Sequence, residues 1–200
     1  MVFLNYVPLI SFFILLILIT GRIIYLNILG TNVLSKSGKT RITTTIMYLV
    51  FGLIFLLFIV EMLRPVFQLS FNILPNTLTK PLAASTNLKI AGSILILFSI
   101  SLLAVTLIHF NKSLRFGLHK ENTGRLITTG IFSLSRNPFF VSLEMWFTGI
   151  AFILPTPFFI GLAVLAVIGI HFFILKEEKF MKSNYGHEYL QYAKKVRRYF

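Results

Sequence analysis

The sequence predicts an all-α integral membrane protein of about five transmembrane helices, closing with a helical hairpin and an amphipathic tail helix on the cytoplasmic side. Two observations carry this expectation. Of 200 residues, 56% are hydrophobic and only 12% charged, and the mean hydropathy of +0.84 lies far above what a soluble domain tolerates. A bilayer-spanning helix takes about 20 apolar residues, and the apolar residues fall into blocks of roughly that length separated by polar loops. A chain of this size leaves room for one membrane domain, 1–200, with no separate soluble enzyme attached.

The first apolar block, Val2 to Ile28, lacks a basic leader and exceeds the apolar core of a signal peptide, so it is expected to remain as a span. Arg22 lies near its end, where its stem can reach the interface. A polar stretch from Thr31 to Thr45, with Lys36, Lys39 and Arg41, leads into a second span, Ile46 to Leu63. Glu61 and Arg64, three apart at its far end, are spaced for a local surface pair. Pro65, Pro75 and Pro81 mark the segment from Pro65 to Asn87 as a loop with one short interfacial turn. The third span runs from Leu88 to Phe110. The polar stretch Asn111 to Arg136 follows, with Lys112, Arg115, Lys120, Arg125 and Arg136 against Glu121. Two more apolar segments, Phe139 to Leu154 and Phe158 to Leu175, meet at Pro155-Thr156-Pro157. So short a connection demands a tight antiparallel hairpin.

Lys and Arg number 19 against six acids, all of them Glu, a formal charge of +13. In a membrane protein this excess suits an anionic cytoplasmic leaflet at least as well as nucleic acid, and no zinc finger, recognition helix or stacking platform supports a nucleic-acid partner. The 111–136 loop and the tail, with Lys176, Lys179, Lys182, Lys194, Lys195, Arg197 and Arg198, are both strongly basic and are expected to share the cytoplasm. Five spans then place the N-terminus outside. Past Glu177 the chain is too polar to span, yet Met181, Tyr185, Tyr189, Tyr192 and Val196 recur every three or four residues. That stripe beside many cations fits an interfacial helix, interrupted near Asn184-Tyr185-Gly186.

With no Cys, a thiolate nucleophile and a thiolate metal site are excluded, and His109, His119 and His187 are too scattered to suggest a metal. Chemistry in a membrane protein is expected where polar or helix-breaking residues stand in place of cheaper apolar ones. Two places qualify. In Ser135-Arg136-Asn137-Pro138-Phe139-Phe140, Pro138 suits a first helical turn, whose free N–H groups favour an anion. Lys176-Glu177-Glu178 ends the fifth span and lies beside the first motif once the hairpin closes. Two carboxylates facing an arginine and a helix start suit a small zwitterion, although a plain helix start and a solvated helix end account for the same residues. His171, inside the fifth span, is expected to be a hydrogen-bonded bundle residue, and the lone Trp146 a core residue.

These motifs, in this order, resemble the isoprenylcysteine carboxyl methyltransferase and phospholipid methyltransferase superfamily of integral membrane enzymes. The resemblance covers Phe110 to Phe200. It starts with Asn111-Lys112-Ser113-Leu114-Arg115-Phe116-Gly117 and runs through Leu126-Ile127-Thr128-Thr129-Gly130-Ile131-Phe132 and Arg136-Asn137-Pro138. It closes with Glu177-Glu178, Tyr185-Gly186-His187-Glu188-Tyr189, Tyr192 and Val196-Arg197-Arg198. On this reading residues 1–110 supply three spans that complete the bundle, and 111–200 carry the cofactor-binding loop, hairpin and tail.

The resemblance implies S-adenosylmethionine as cofactor at the cytoplasmic mouth, with a lipophilic or lipid acceptor arriving from the bilayer. By position, Leu126, Ile127 and Phe132, with Gly124 and Arg125, would line the adenosine site. Asn137, Pro138, Phe139 and Phe140 match the stretch that contacts the cofactor, and Glu177 matches its carboxylate partner. Arg136 is expected to act in catalysis beside them. Asn137 replaces a His found in many relatives. Carboxyl-methylating relatives carry an Arg four residues before the matched Glu, where this chain has Phe173, so a free-carboxylate acceptor is disfavoured. Glu144 shares a helical face with Asn137, Phe140 and Val141 and is a candidate general base or counter-ion for an acceptor amine. Its alternative is an ion pair or hydrogen bond within the bundle. The competing functions are an NADPH-dependent membrane sterol or steroid reductase, with a similar hairpin and tail, and a non-catalytic membrane protein. Oligomeric state, and whether O, N or S is methylated, are left open by the sequence.

Overall fold

The computed structural model describes residues 2–29, 42–83, 85–110 and 126–200. After a short 3-10 turn, Val2–Tyr6, come α1 (Val7–Ile28), α2 (Ile42–Phe67), the single turn α3 (Asn76–Thr79), α4 (Thr86–His109), a 3-10 turn at Gly130–Ser133, α5 (Pro138–Ile153) and α6 (Pro157–Lys195). Among the described residues α1 with its leading turn, α2, α4 and α6 are long and apolar enough to cross a membrane, and α5, of 16 residues, is a shorter apolar helix. The protein is a multi-pass membrane protein. Ile17, Phe51, Phe98 and Leu165 stand exposed on the outer faces, as expected where lipid rather than water is the solvent.

Helix boundaries follow local chemistry. Pro138 and Pro157 open α5 and α6, where the missing N–H costs nothing, and Thr156 caps α6 by accepting from the Phe159 N–H at 3.3 Å. Ser85 caps α4 in the same way through Leu88. The α5–α6 hairpin turns within Leu154–Thr156, as its prolines dictate. α2 runs on to Phe67, through Pro65, four residues beyond the expected Leu63. α6 has 39 residues, about 58 Å at 1.5 Å per residue. Its apolar part ends at Leu175, and the polar remainder is the tail helix. Gly186 breaks it with φ 51° and ψ −120°, a left-handed conformation that glycine adopts without Cβ strain.

α5 is the buried centre, packed mainly on α4 and then on α6. Glycine makes the α4 contact possible: a Cβ on Gly92 would come within 2.6 Å of the Gly149 carbonyl oxygen, and one on Gly149 within 2.9 Å of the Gly92 oxygen. Ser99 adds a bond across the pair, its hydroxyl donating to the Ser142 carbonyl at 2.6 Å. At the hairpin end Trp146 meets Phe12 of α1 and Phe58 of α2, at 6.3 and 5.8 Å between ring centres. At the other end Leu26, Leu103, Leu107 and Phe139 form a second cluster.

The Trp146 indole donates to the Ser11 hydroxyl at 2.9 Å, with both residues buried. Ser11→Ala leaves that N–H without an acceptor, a cost of about 1–3 kcal/mol. A lowered thermal midpoint in detergent, followed by the fluorescence of this lone tryptophan, is the expected outcome; an unchanged midpoint would show that the bond contributes nothing.

Candidate active site at the open end of the hairpin

The hairpin brings the start of α5 beside the end of the apolar part of α6, and the segment Val196–Phe200 folds back between them. Backbone bonds hold this return. The Arg136 N–H donates to the Arg197 carbonyl at 3.0 Å, and the Asn137 side-chain amide and the Ser135 hydroxyl donate to the Arg198 carbonyl at 3.1 and 3.3 Å. The Ser135 hydroxyl also accepts from the Asn137 N–H. Asn137 is 7% exposed and Ser135 0%, so these polar groups need the partners they have.

The charged centre is Glu178. Its carboxylate takes two bonds from Arg198, Nε at 3.1 Å and Nη2 at 2.8 Å, and faces Arg136 Nη2 at 3.3 Å. Such a forked guanidinium–carboxylate contact is the strong form of the ion pair. Hydrogen bonding to Glu178 holds the Arg198 guanidinium above its ordinary value. Arg136 Nη1 also donates to the Tyr189 hydroxyl at 3.4 Å. The Tyr192 hydroxyl donates to the Phe132 carbonyl at 2.6 Å and so fixes the 3-10 turn against the tail helix, while the Phe132 ring packs on Phe110 at 4.9 Å.

Tyr199 reaches the apolar side of the cluster. Its hydroxyl and His171 Nδ1 are hydrogen-bonded at 2.8 Å, and the two rings stack, which makes His171 the bonded bundle residue expected of it. Burial, and then the charge of Glu144, push the Tyr199 phenol above its ordinary value, with Arg198 acting the other way. Glu144 on α5 is therefore close enough to Tyr199 for its charge to be felt there. Phe140 packs on Phe173 at 5.4 Å.

The site residues expected from sequence divide clearly. Arg136, Asn137, Pro138, Phe139 and Phe140 stand together at the α5 start, and Phe132 is joined to them through the tail helix. Leu126 and Ile127 are half-buried residues in the extended segment before the 3-10 turn. Arg125 and Gly124 lie outside the described residues, as do Lys36, Lys39, Arg41 and the 111–123 stretch. Glu177 is half-buried one residue before the ion-pair centre, and its Oε2 is buried without a hydrogen-bond partner. Glu178, Tyr189, Arg198 and Tyr199 were not singled out individually by sequence as site residues. Only the Tyr stripe and the Glu-Glu pair hinted at them, because their partners lie 20 or more residues away.

Three polar atoms here are buried and unpartnered: Arg136 Nε, Glu144 Oε1 and Glu177 Oε2. A donor nitrogen and an acceptor oxygen left open on either side of one ion-pair centre suit a ligand bearing both a carboxylate and an ammonium. Among the described residues no group of three His, Asp or Glu side chains is placed to hold a metal ion.

Fold and geometry together define a multi-pass membrane protein with a polar, charged cluster at one end of a helical hairpin. A family model for phospholipid methyltransferases matches residues 83–188, more than half of the chain. The chain belongs to that family, within the superfamily that also holds the isoprenylcysteine carboxyl methyltransferases, and is a membrane methyltransferase. The match takes in α4, the hairpin, Arg136 to Phe140 and both glutamates, and ends before Tyr189 and Arg198. No curated protein and no solved structure matches the chain.

Proposed function

We propose that the protein transfers a methyl group from S-adenosylmethionine to a lipophilic, membrane-embedded acceptor at the site between α5, α6 and the Val196–Phe200 segment. The observation that carries this reading is the pair of open buried atoms, Glu177 Oε2 and Arg136 Nε, in a chain of a methyltransferase family. Glu177 accepts from the ammonium of the cofactor's methionine part and Arg136 donates to its carboxylate. Leu126, Ile127 and Phe132 border the adenosine, and Asn137, Pro138, Phe139 and Phe140 close the site from the α5 start. Bound there, the cofactor supplies an electrophilic methyl group on a sulfonium. The residues have to align acceptor and methyl and keep water out. Phe140 and Phe173 give the acceptor side an apolar wall. Glu144 Oε1 is open to take the proton that an acceptor O–H or N–H gives up as the new bond forms. Phe173, where carboxyl-methylating relatives have Arg, supports an acceptor without a free carboxylate.

The Lys-rich tail helix and Arg136 at the site end support a cytoplasmic orientation for it, with the 154–156 turn on the far side. Membership of a methyltransferase family counts against a nicotinamide-dependent reductase. The test is methyl-labelled cofactor incubated with the protein in native membrane lipid. Label is expected in the organic phase with wild type and at least about tenfold less with Glu177→Ala, the scale of losing one charge-assisted contact. Equal labelling by Glu177→Ala would overturn the assignment of Glu177.

A further inference from the structure

A cavity of about 330 Å³ lies at the opposite end of the bundle, on the side of the 154–156 turn. α5 separates it from the methyl-transfer site by about 24 Å, for 16 residues. Its polar lining includes the amide of Asn5, the charged side chains of Glu61, Arg64 and Lys89, and two threonines, and Ile153 and Phe159 form part of its apolar wall. The volume falls in the range of small-ligand pockets.

The spacing of Glu61 and Arg64 suggested a surface pair. Glu61 Oε2 does accept from Arg64 Nη1 at 2.8 Å, but the Glu61 side chain is only 5% exposed. Its other oxygen, Oε1, is buried and has no partner, and neither has Arg64 Nε. Lys89 Nζ donates to Asn5 Oδ1 at 2.7 Å, and among the described residues no carboxylate pairs with it. Glu61 and Arg64 cancel in charge, which leaves Lys89 as one net positive charge. The loop closes the cavity's rim through the Leu82 N–H, which donates to the Pro155 carbonyl at 2.8 Å.

A buried carboxylate oxygen without a donor is costly and calls for one. The lining thus asks for a ligand that combines an anion, for Lys89 and Arg64 Nε, with a hydrogen-bond donor, for Glu61 Oε1. It sits at the end of spans whose outer faces are apolar, level with the ends of α2, α4 and α5, where headgroups of the surrounding lipid lie. We propose that this cavity is a phospholipid headgroup site on the membrane face opposite the methyl-transfer site. Its phosphodiester is held by Lys89 and Arg64, a hydroxyl or ammonium of the headgroup donates to Glu61, and the acyl chains run down the outer surface of the bundle. The site is independent of the methyl-transfer reading, because it shares no residue with it.

The test is native mass spectrometry of the full chain in detergent with dioctanoyl lipids. Phosphatidylglycerol is expected to bind well above dioctanoylglycerol and above phosphatidylmethanol, whose headgroup has no donor. Lys89→Gln is expected to weaken phosphatidylglycerol about tenfold, the scale of one charge-assisted contact, whereas Lys80→Gln, on an exposed loop lysine outside the cavity lining, leaves it unchanged. Equal binding of dioctanoylglycerol, or equal losses in the two lysine variants, would overturn the site. Inorganic phosphate displacing the lipid at equal concentration would overturn its assignment to a lipid, and phosphatidylmethanol matching phosphatidylglycerol would overturn the role of Glu61. The two lipid comparisons need no variant, so they hold even if Lys89→Gln fails to fold.

Discussion

Gly92→Ala is expected to destabilise the detergent-solubilised protein by about 1–3 kcal/mol, the usual cost of overpacking a tight contact, and Gly92→Leu to keep α4 and α5 from closing at all. Opposing terms decide the sign. Replacing a mid-helix glycine by alanine gains up to about 1 kcal/mol of helix propensity. Here, however, the new Cβ would lie 2.6 Å from the Gly149 carbonyl oxygen, 2.8 Å from Phe152 Cβ and 2.9 Å from Ile153 Cγ1. A backbone oxygen and a Cβ cannot swing aside like a side-chain end, so the helices themselves must part. Because α5 positions Asn137 to Phe140 at one end and walls the cavity with Ile153 at the other, the separation is felt at both sites. Gly161→Ala is the control: nothing lies within 4 Å of that Cβ, and its midpoint is expected to stay level or rise. Equal midpoints for Gly92→Ala and Gly161→Ala would contradict the close α4–α5 contact.

Glu178→Ala is expected to release the Val196–Phe200 segment and weaken the site. Side-chain exposure is 14% for Glu178 and Arg136 and 35% for Arg198. Deleting the carboxylate strands Arg136 among buried groups, while Arg198 can turn toward water. The full penalty for breaking a buried pair, about 3–5 kcal/mol, is therefore halved by solvent on one side, to about 1–3 kcal/mol. The bonds from Ser135, Arg136 and Asn137 to the Arg197 and Arg198 carbonyls remain, so the segment loosens without the bundle unfolding. Trypsin cleavage after Arg197 and Arg198 is the readout, expected to quicken several-fold in Glu178→Ala and less in Glu178→Gln, which keeps one acceptor oxygen. Unchanged cleavage would show that the ion pair does not hold the segment.

Much of the architecture is legible in the sequence because membrane helices are written in composition. The apolar blocks beginning at Val2, Ile46 and Leu88 became α1, α2 and α4 within a few residues, and Pro155-Thr156-Pro157 forced the hairpin. Gly186 breaks the tail helix at the place where the Asn-Tyr-Gly run suggested a break, and the Tyr stripe found its partners in Phe132 and Arg136. What local spacing could not give was burial. Glu61 and Arg64 pair as their separation requires, yet the 153–159 turn and the start of α4 cover them, and a surface contact became the wall of a cavity. The site shows the same limit. Arg136 and the Glu-Glu pair were visible as misplaced polarity at helix ends, but that Glu178 would be the paired carboxylate depends on Arg198, 20 residues on. Gly92 and Gly149 were equally silent, since only the meeting of two helices gives them a role.

Glu177 and Arg136 are proposed to hold the methyl donor. Calorimetric titration of the purified protein with S-adenosylhomocysteine tests this most directly, comparing wild type with Glu177→Ala and using NADPH as the control ligand. Saturable binding by wild type, loss of at least about tenfold in affinity in the variant, and no response to NADPH are the predicted results. A folded wild-type protein that ignores the homocysteine ligand, or binds NADPH in its place, would contradict the account.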